Sequence, residues 1–248
     1  MREFLKRNSV FIGLSLLLIV TLGLAVALIP RGELHLLLCD RHTPARDLFY
    51  HYYTHVAEYA PYIICLLILL FSKAGYAALA ASCIACSELT TQIVKHIVCA
   101  PRPLTWFAEN MPDVQLPLVE GVRMNLWLSF PSGHTTSFFS LFFALAIVIS
   151  QWSKDHVSKD DQTEQKWTLG TFVCLVLVPI TLFALAALGG YSRIYLSQHF
   201  VQDVLGGITV GLLISVLCYA LFKRFEHQKW YNYRLLEAFF KKNNKKVQ

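Results

Sequence analysis

Charge is scarce in this chain: of 248 residues only 15% are Asp, Glu, Lys or Arg, while 55% are hydrophobic. An ordinary soluble surface carries about a quarter charged residues, so that class is excluded. Internal repeats, low-complexity tracts and Gly/Ser linkers are also missing, and residues 1–248 therefore read as one membrane domain. No small-x-small cleavage site follows the first apolar segment, which ends in Ile29-Pro30, so it reads as a retained helix and not as a signal peptide.

Paired cysteines are lacking too. The count is seven, and Cys65, Cys83, Cys86, Cys174 and Cys218 fall within apolar runs, where Cys behaves as a small hydrophobe; Cys83-x-x-Cys86 is thus not expected to be a redox motif. Cys39 and Cys99 lie in or beside loops, but their spacing implies no disulfide. The histidines His35, His42, His51, His55 and His96 have no metal-ligand partners at recognisable spacing and read as interfacial polar residues.

What is present in abundance is apolar sequence. A bilayer span needs about 20 mostly apolar residues, and six stretches qualify: Val10 to Ile29, Val56 to Phe71 (the shortest), Gly75 to Val94, Thr135 to Trp152, Trp167 to Gly189 and Val204 to Phe222. The expected fold is all-α, a polytopic membrane protein with six transmembrane helices. Cytoplasmic flanks carry excess Lys and Arg. With the N-terminus inside, the inner flanks hold fifteen of them and the outer flanks seven, so both termini are expected to be cytoplasmic.

The net charge of +6 resides largely in the basic tail, 223–248, which also carries Trp230, Tyr231, Tyr233 and Phe239; anionic inner-leaflet lipid, not nucleic acid, is its expected partner. The mixed-charge connection from Ser153 to Lys166 reads as a solvated turn. Among the outer segments, Pro30 to His55 has a composition suited to the headgroup region. Lys95 to Pro131, with Pro101, Pro103, Pro112 and Pro117, is expected to fold as a short cap between the third and fourth spans. The third outer loop is expected from Gly190 to about Asp203.

The outer ends of the third, fourth and sixth spans each carry a polar cluster. Pro131-Ser132-Gly133-His134 opens a helix, where backbone N–H groups lack intrahelical partners and the dipole favours anions. Gly133 permits close approach, Ser132 adds a hydroxyl donor, and His134 has the chemistry to protonate a leaving oxygen. His199 and Asp203 stand four apart, so on a helix they would share a face and the carboxylate would orient the imidazole as a nucleophile, though such a pair is also an ordinary helix contact. Lys95, Arg102 and Arg193 supply three cations for one phosphate.

Taken together, K-x6-RP (Lys95 to Pro103), PSGH (Pro131 to His134) and SR-x5-H-x3-D (Ser192 to Asp203) resemble the three signature segments of the type 2 phosphatidic acid phosphatase superfamily, over a core of about 75–222. The resemblance implies a lipid phosphatase with no metal or other cofactor. In it His199 is the nucleophile, Asp203 its orienting partner and His134 the general acid, while Lys95, Arg102, Ser132, Gly133 and Arg193 bind phosphate. It further implies a bacterial inner-membrane protein with a periplasm-facing site. Its expected substrates are lipid A phosphate and undecaprenyl diphosphate first, then phosphatidylglycerol phosphate and phosphatidic acid.

Two other readings use the same residues: a vanadium-dependent haloperoxidase, which six apolar spans disfavour, and a non-catalytic lipid-binding protein, which intact His134, His199 and Asp203 disfavour. Outside the motifs, Glu88 within the third span reads as a bond to a neighbouring helix ahead of an influence on Lys95. Pro179 reads as a helix kink. Tyr191 is a candidate for packing at the site, and Trp106, Phe107, Trp127 and Arg123 for interfacial anchoring ahead of substrate contact.

Overall fold

A computed structural model describes residues 1–156 and 168–235. Most of the Ser153–Lys166 connection, Trp167 and the tail from 236 on, with Phe239 and four of its lysines, lie outside the described residues. Within them all regular structure is helical, and no strand forms.

The chain opens with α1 (Arg2–Arg7) and α2 (Ser9–Leu28), then two short helices, α3 (Arg31–Cys39) and α4 (Pro44–Tyr53). A 3-10 turn, Thr54–Ala57, leads into α5 (Tyr59–Ser72), and α6 (Ala74–Val98) and α7 (Pro103–Asn110) follow. After the irregular cap come α8 (Gly133–His156), α9 (Leu169–Phe172), a π-helical turn (Val173–Leu177), α10 (Val178–Tyr195) and α11 (Val201–Phe222). Among the described residues, five helices are long and apolar enough to cross a membrane: α2, α6 with α7, α8, α9 through α10, and α11; a sixth span arises if α4 and α5, bent by 50°, count as one. The fourteen-residue α5 explains why the second apolar stretch reads as short.

Sequence composition decides which helix lies at the centre. In α8 apolar and small residues cover every face, among them Phe138, Phe139, Phe143, Ala144 and Ile147, and 78% of its span is buried, against 11% for α2. A helix that is apolar or small all round belongs inside, and α6, α10 and α11 pack around α8. The α2 residues Leu16, Leu17, Val20 and Leu24 stay exposed, as a bilayer-facing helix allows. Glycine sets the closest approach: a Cβ on Gly207 of α11 would stand 2.7 Å from the Ser132 carbonyl oxygen and 2.9 Å from the Thr135 side chain.

Several expectations change in detail. The outer segment 30–55 is helical, not a loop, and α10 runs to Tyr195, leaving only residues 196–200 as the third connection. Glu88 accepts from the Ser137 hydroxyl of α8, the interhelical bond expected. The π-helical turn lies just before Pro179, whose missing N–H leaves a carbonyl of the preceding turn without its helical donor. Cys39 and Cys99 are both free, the first buried and the second exposed. At the opposite end from the motifs, the tail folds back on α6: Ala74 N–H donates to the Tyr233 carbonyl and Gly75 N–H to that of Tyr231, both at 2.9 Å, and Tyr231 is buried.

Candidate active site

The termini of α6, α7, α8, α10 and α11 and the loops beside them bring the motif residues together. The α6 helix ends at Cys99, whose backbone takes the left-handed conformation (φ 47°), and this places Lys95 one turn from the helix end. Lys95 Nζ donates to the Leu128 carbonyl at 2.9 Å and lies against Gly133. Arg102, at the N-cap of α7, donates from Nε to the Trp127 carbonyl at 3.0 Å and from Nη1 to Gln198 Oε1 at 3.1 Å. The cap segment 126–129 is stitched to 100–105 by Arg102 N–H to Leu126 O, Ser129 N–H to Ala100 O and the Thr105 hydroxyl to Leu126 O. Arg193, in the last turn of α10, donates from Nη1 to Thr54 Oγ1.

All three cations are therefore held by neutral acceptors. Lys95, Arg102 and Arg193 are 6–8% exposed, and among the described residues none has a carboxylate within ion-pair distance. Buried charge without a counter-charge is costly. A bound anion would supply the missing counter-charge.

The helix α8 begins beside them. Ser132 N–H donates to the Asp203 carbonyl at 2.9 Å, and the Ser132 carbonyl accepts from Thr136. The Thr135 hydroxyl donates to Ser132 Oγ at 2.9 Å, so the Ser132 hydroxyl hydrogen is available to an anion. The N–H groups of Gly133 and His134, in the first turn, have no carbonyl behind them within the helix. They complete the anion cradle with the positive end of the helix dipole.

His199 is not on a helix. It precedes α11, with its N–H donating to the Arg193 carbonyl at 3.1 Å, and Asp203 is the third residue of α11. The i,i+4 face expected from the spacing is replaced by a capping box, in which Asp203 Oδ2 accepts from Phe200 N–H at 2.8 Å. His199 Nδ1 is 3.6 Å from Asp203 Oδ2, too long for a direct hydrogen bond. Ser129 bridges them: its hydroxyl donates to Asp203 Oδ2 at 2.5 Å and accepts, as the weaker contact, from His199 Nδ1 at 3.4 Å. Because the only serine hydrogen goes to Asp203, Nδ1 of His199 must carry the proton in that contact. Nε2 is then the lone-pair nitrogen. Burial first, then Arg102, Lys95 and Arg193, holds the His199 pKa well below the ordinary imidazole value, so the ring is neutral near pH 7.

Residues outside the motifs complete the surroundings. Ser129, Thr54 and Gln198 have no sequence signal as single polar residues. His35 is a correction: it is fully buried, not interfacial, with Nε2 3.3 Å from Ser197 Oγ and its ring against Phe107 and Phe200. Burial lowers its pKa to about 4. On the same face of α3, the Arg31 guanidinium lies 3.8 Å from the Phe200 ring centre, a cation–π contact. The spacing Arg31/His35 is a helical i,i+4 pair, the one signal that would have found them.

Other outlying residues divide plainly. Phe107 is buried against Phe200 and Leu116, and Trp106 packs on Phe200, so both stabilise the cap from within. Trp127 is half exposed and Arg123 is exposed. Tyr191 donates to the Leu38 carbonyl at 2.9 Å, away from the cradle. Among the described residues no His/Cys/Asp/Glu group has the geometry of a metal site.

Known proteins share this architecture. The sequence model of the PAP2 superfamily matches residues 76–226. Lipid phosphate phosphatase 2 of Arabidopsis thaliana is 34% identical over 150 residues, 53% of this chain and 45% of that protein. The lipid A 4'-phosphatase of Porphyromonas gingivalis is 28% identical over 143 residues, 57% of this chain and 48% of that protein. This chain thus spans about half the length of the curated relatives it matches. A transmembrane PAP2-type phosphatidylglycerolphosphate phosphatase from Bacillus subtilis superposes with a TM-score of 0.56 at 21% identity, covering 91% of this chain and all of that one, which is a likeness of fold. With the matched stretch covering more than half of its residues and all three signature segments inside it, the chain belongs to the PAP2 superfamily.

Proposed function

We propose that this protein is an integral membrane lipid phosphatase that acts through a phosphohistidine on His199, without a metal ion, from the extracytoplasmic face of a bacterial inner membrane. One observation carries the reading: three buried cations without carboxylate partners converge with the open N-terminus of α8 beside a neutral histidine.

In the first step His199 Nε2 forms a bond to phosphorus while the bond from phosphorus to the lipid oxygen breaks. His134 gives its proton to that oxygen. Lys95, Arg102, Arg193, the Ser132 hydroxyl and the N–H groups of Gly133 and His134 bind the phosphoryl oxygens and stabilise the charge that shifts onto them. In the second step His134, now neutral, takes a proton from water. The water oxygen bonds to phosphorus, the P–N bond breaks, and inorganic phosphate leaves. Asp203, through Ser129, stabilises the Nδ1 proton throughout.

The charge asymmetry of the flanks supports cytoplasmic termini and an outward-facing site, within a single domain of 1–248 whose signature core is 75–222. The relatives' names bring in lipid A phosphate and phosphatidylglycerol phosphate as substrate classes, beside undecaprenyl diphosphate and phosphatidic acid. Lipid A phosphate and undecaprenyl diphosphate rank first.

Purified protein in detergent with EDTA is expected to release phosphate from at least one of the four classes, and His199→Ala and His134→Ala to lose that activity. The trapped phosphoenzyme is expected to be acid-labile and base-stable. Full activity in both variants, or an acid-stable phosphoenzyme, overturns the mechanism.

A further inference from the structure

A general acid must arrive protonated, and His134 opens α8 at the cradle where the three cations converge. Lys95 of α6, Arg102 before α7 and Arg193 of α10 bring their charge to this site on neutral acceptors. The motif carboxylate gives no direct relief, since Asp203 Oδ2 is engaged by Ser129 and the Phe200 N–H behind His199. Among the described residues, the carboxylate paired with His134 comes from outside the family-matched stretch. Glu58 Oε1 lies 3.9 Å from His134 Nε2.

Glu58 stands at the break between the 3-10 turn Thr54–Ala57 and α5, the turn whose Thr54 also holds Arg193. His55 Nδ1 donates to the same Glu58 oxygen at 2.6 Å, which fixes the carboxylate in orientation. The glutamate side chain is 47% exposed and caps no helix N–H, so neither packing nor helix termination accounts for its placement.

We propose that Glu58 is the positioning counter-anion of His134, holding the ring at the mouth of the cradle and offsetting the field of the three cations so that His134 keeps its proton until the ester bond breaks. The inference rests on the reading of His134 as general acid. The proton passes from His134 to the leaving oxygen and returns to His134 from water; Glu58 stays ionised in both steps.

Leaving-group dependence tests this directly. An alkyl ester such as dioctanoyl phosphatidic acid needs a proton on its departing oxygen, whereas p-nitrophenyl phosphate releases a stable phenolate without one. For Glu58→Gln in the full chain, kcat on the alkyl ester is expected to fall roughly 10–100-fold with KM little changed. On the aryl ester the fall is expected to be much smaller, and Glu58→Asp is expected to recover most of the alkyl activity. The retained aryl activity reports that the variant is folded. Equal losses on both esters in protein that elutes as wild type, or no loss on either, overturns the proposal. His134→Ala separates the two layers. If it shows the same selectivity while Glu58→Gln does not, the general acid stands and Glu58 falls; if it loses both esters equally, the general-acid reading falls first.

Discussion

Several cations at the two ends of the helical bundle are held in opposite ways. At the end away from the motifs, Lys73 pairs with Asp155, which also accepts from the Tyr76 hydroxyl at 3.3 Å, and Lys154 lies 3.1 Å from Glu3. At the motif end, Lys95, Arg102 and Arg193 bond to carbonyls, an amide and a hydroxyl, and keep their charge uncompensated. Paired charges stabilise a surface by little, whereas unpaired buried charges are maintained against a solvation cost. On the proposed reading, the contrast separates cations that belong to the fold from cations that await a ligand.

The sharpest way to break that comparison is to remove one cation from each end. Arg193→Gln is expected to lower kcat/KM by roughly 10²–10³-fold, the size of effect seen when one transition-state donor is lost. The protein itself should be no less stable, because relief of charge repulsion offsets the lost bond to Thr54. Kinetics and thermal unfolding on one preparation decide it. A variant that is both active and destabilised would place Arg193 with the structural cations.

A second test concerns the buried layer behind His199. His35 has a folded pKa of about 4 against an ordinary 6.5, so the unfolded chain binds a proton that the folded chain does not between those values. Stability is therefore complete above about 6.5 and lost as pH falls toward 4, by about 2 kcal/mol at pH 5 from this group alone. His199 adds a loss of the same sign. Replacing His35 with Leu removes its share, so the drop in unfolding temperature from pH 7 to pH 5 should be smaller in His35→Leu than in wild type. An unchanged drop would mean that His35 is protonated in the folded state.

Ser129→Ala probes the same layer through the site. It leaves Asp203 Oδ2 with the Phe200 N–H alone and takes from His199 Nδ1 the hydroxyl at 3.4 Å. A loss of about tenfold in kcat is expected, corresponding to one hydrogen bond of about 1.4 kcal/mol. Direct support of His199 by Asp203 would instead leave Ser129→Ala near wild type and make Asp203→Asn the larger defect.

Much of this was legible in the sequence. Helices are, because apolar runs near the bilayer length admit few alternatives; only the α4–α5 stretch, broken at Glu58, resists simple counting. The motif residues are legible because each lies at a helix end where polar chemistry interrupts apolar sequence. How His199 meets Asp203 was not, since i,i+4 spacing stands equally for a helix face and for a capping box with the histidine outside the helix. Ser129, Thr54 and Glu58 act through distance across the fold, as single residues of common type. His35 misled because a histidine near an interface is usually wet, and here Phe107 and Phe200 enclose it.

The smallest effect tests the other half of the comparison. The Lys73 side chain is 12% exposed and that of Asp155 37%, at the far end of α8 from the cradle. Lys73→Met keeps the apolar stem that packs along the helix and removes only the charge. Asp155 retains the Tyr76 hydroxyl as a partner and enough exposure for water to solvate it. The cost is therefore expected to be under about 1 kcal/mol, read as a lowering of the unfolding temperature of a few degrees at most, with kcat and KM unchanged on any substrate. The loss should shrink in high salt, because the attraction being removed is screened. A fall in activity without a fall in stability would show that the two ends of α8 are coupled, and the division between structural and ligand-binding cations would have to be redrawn along that helix.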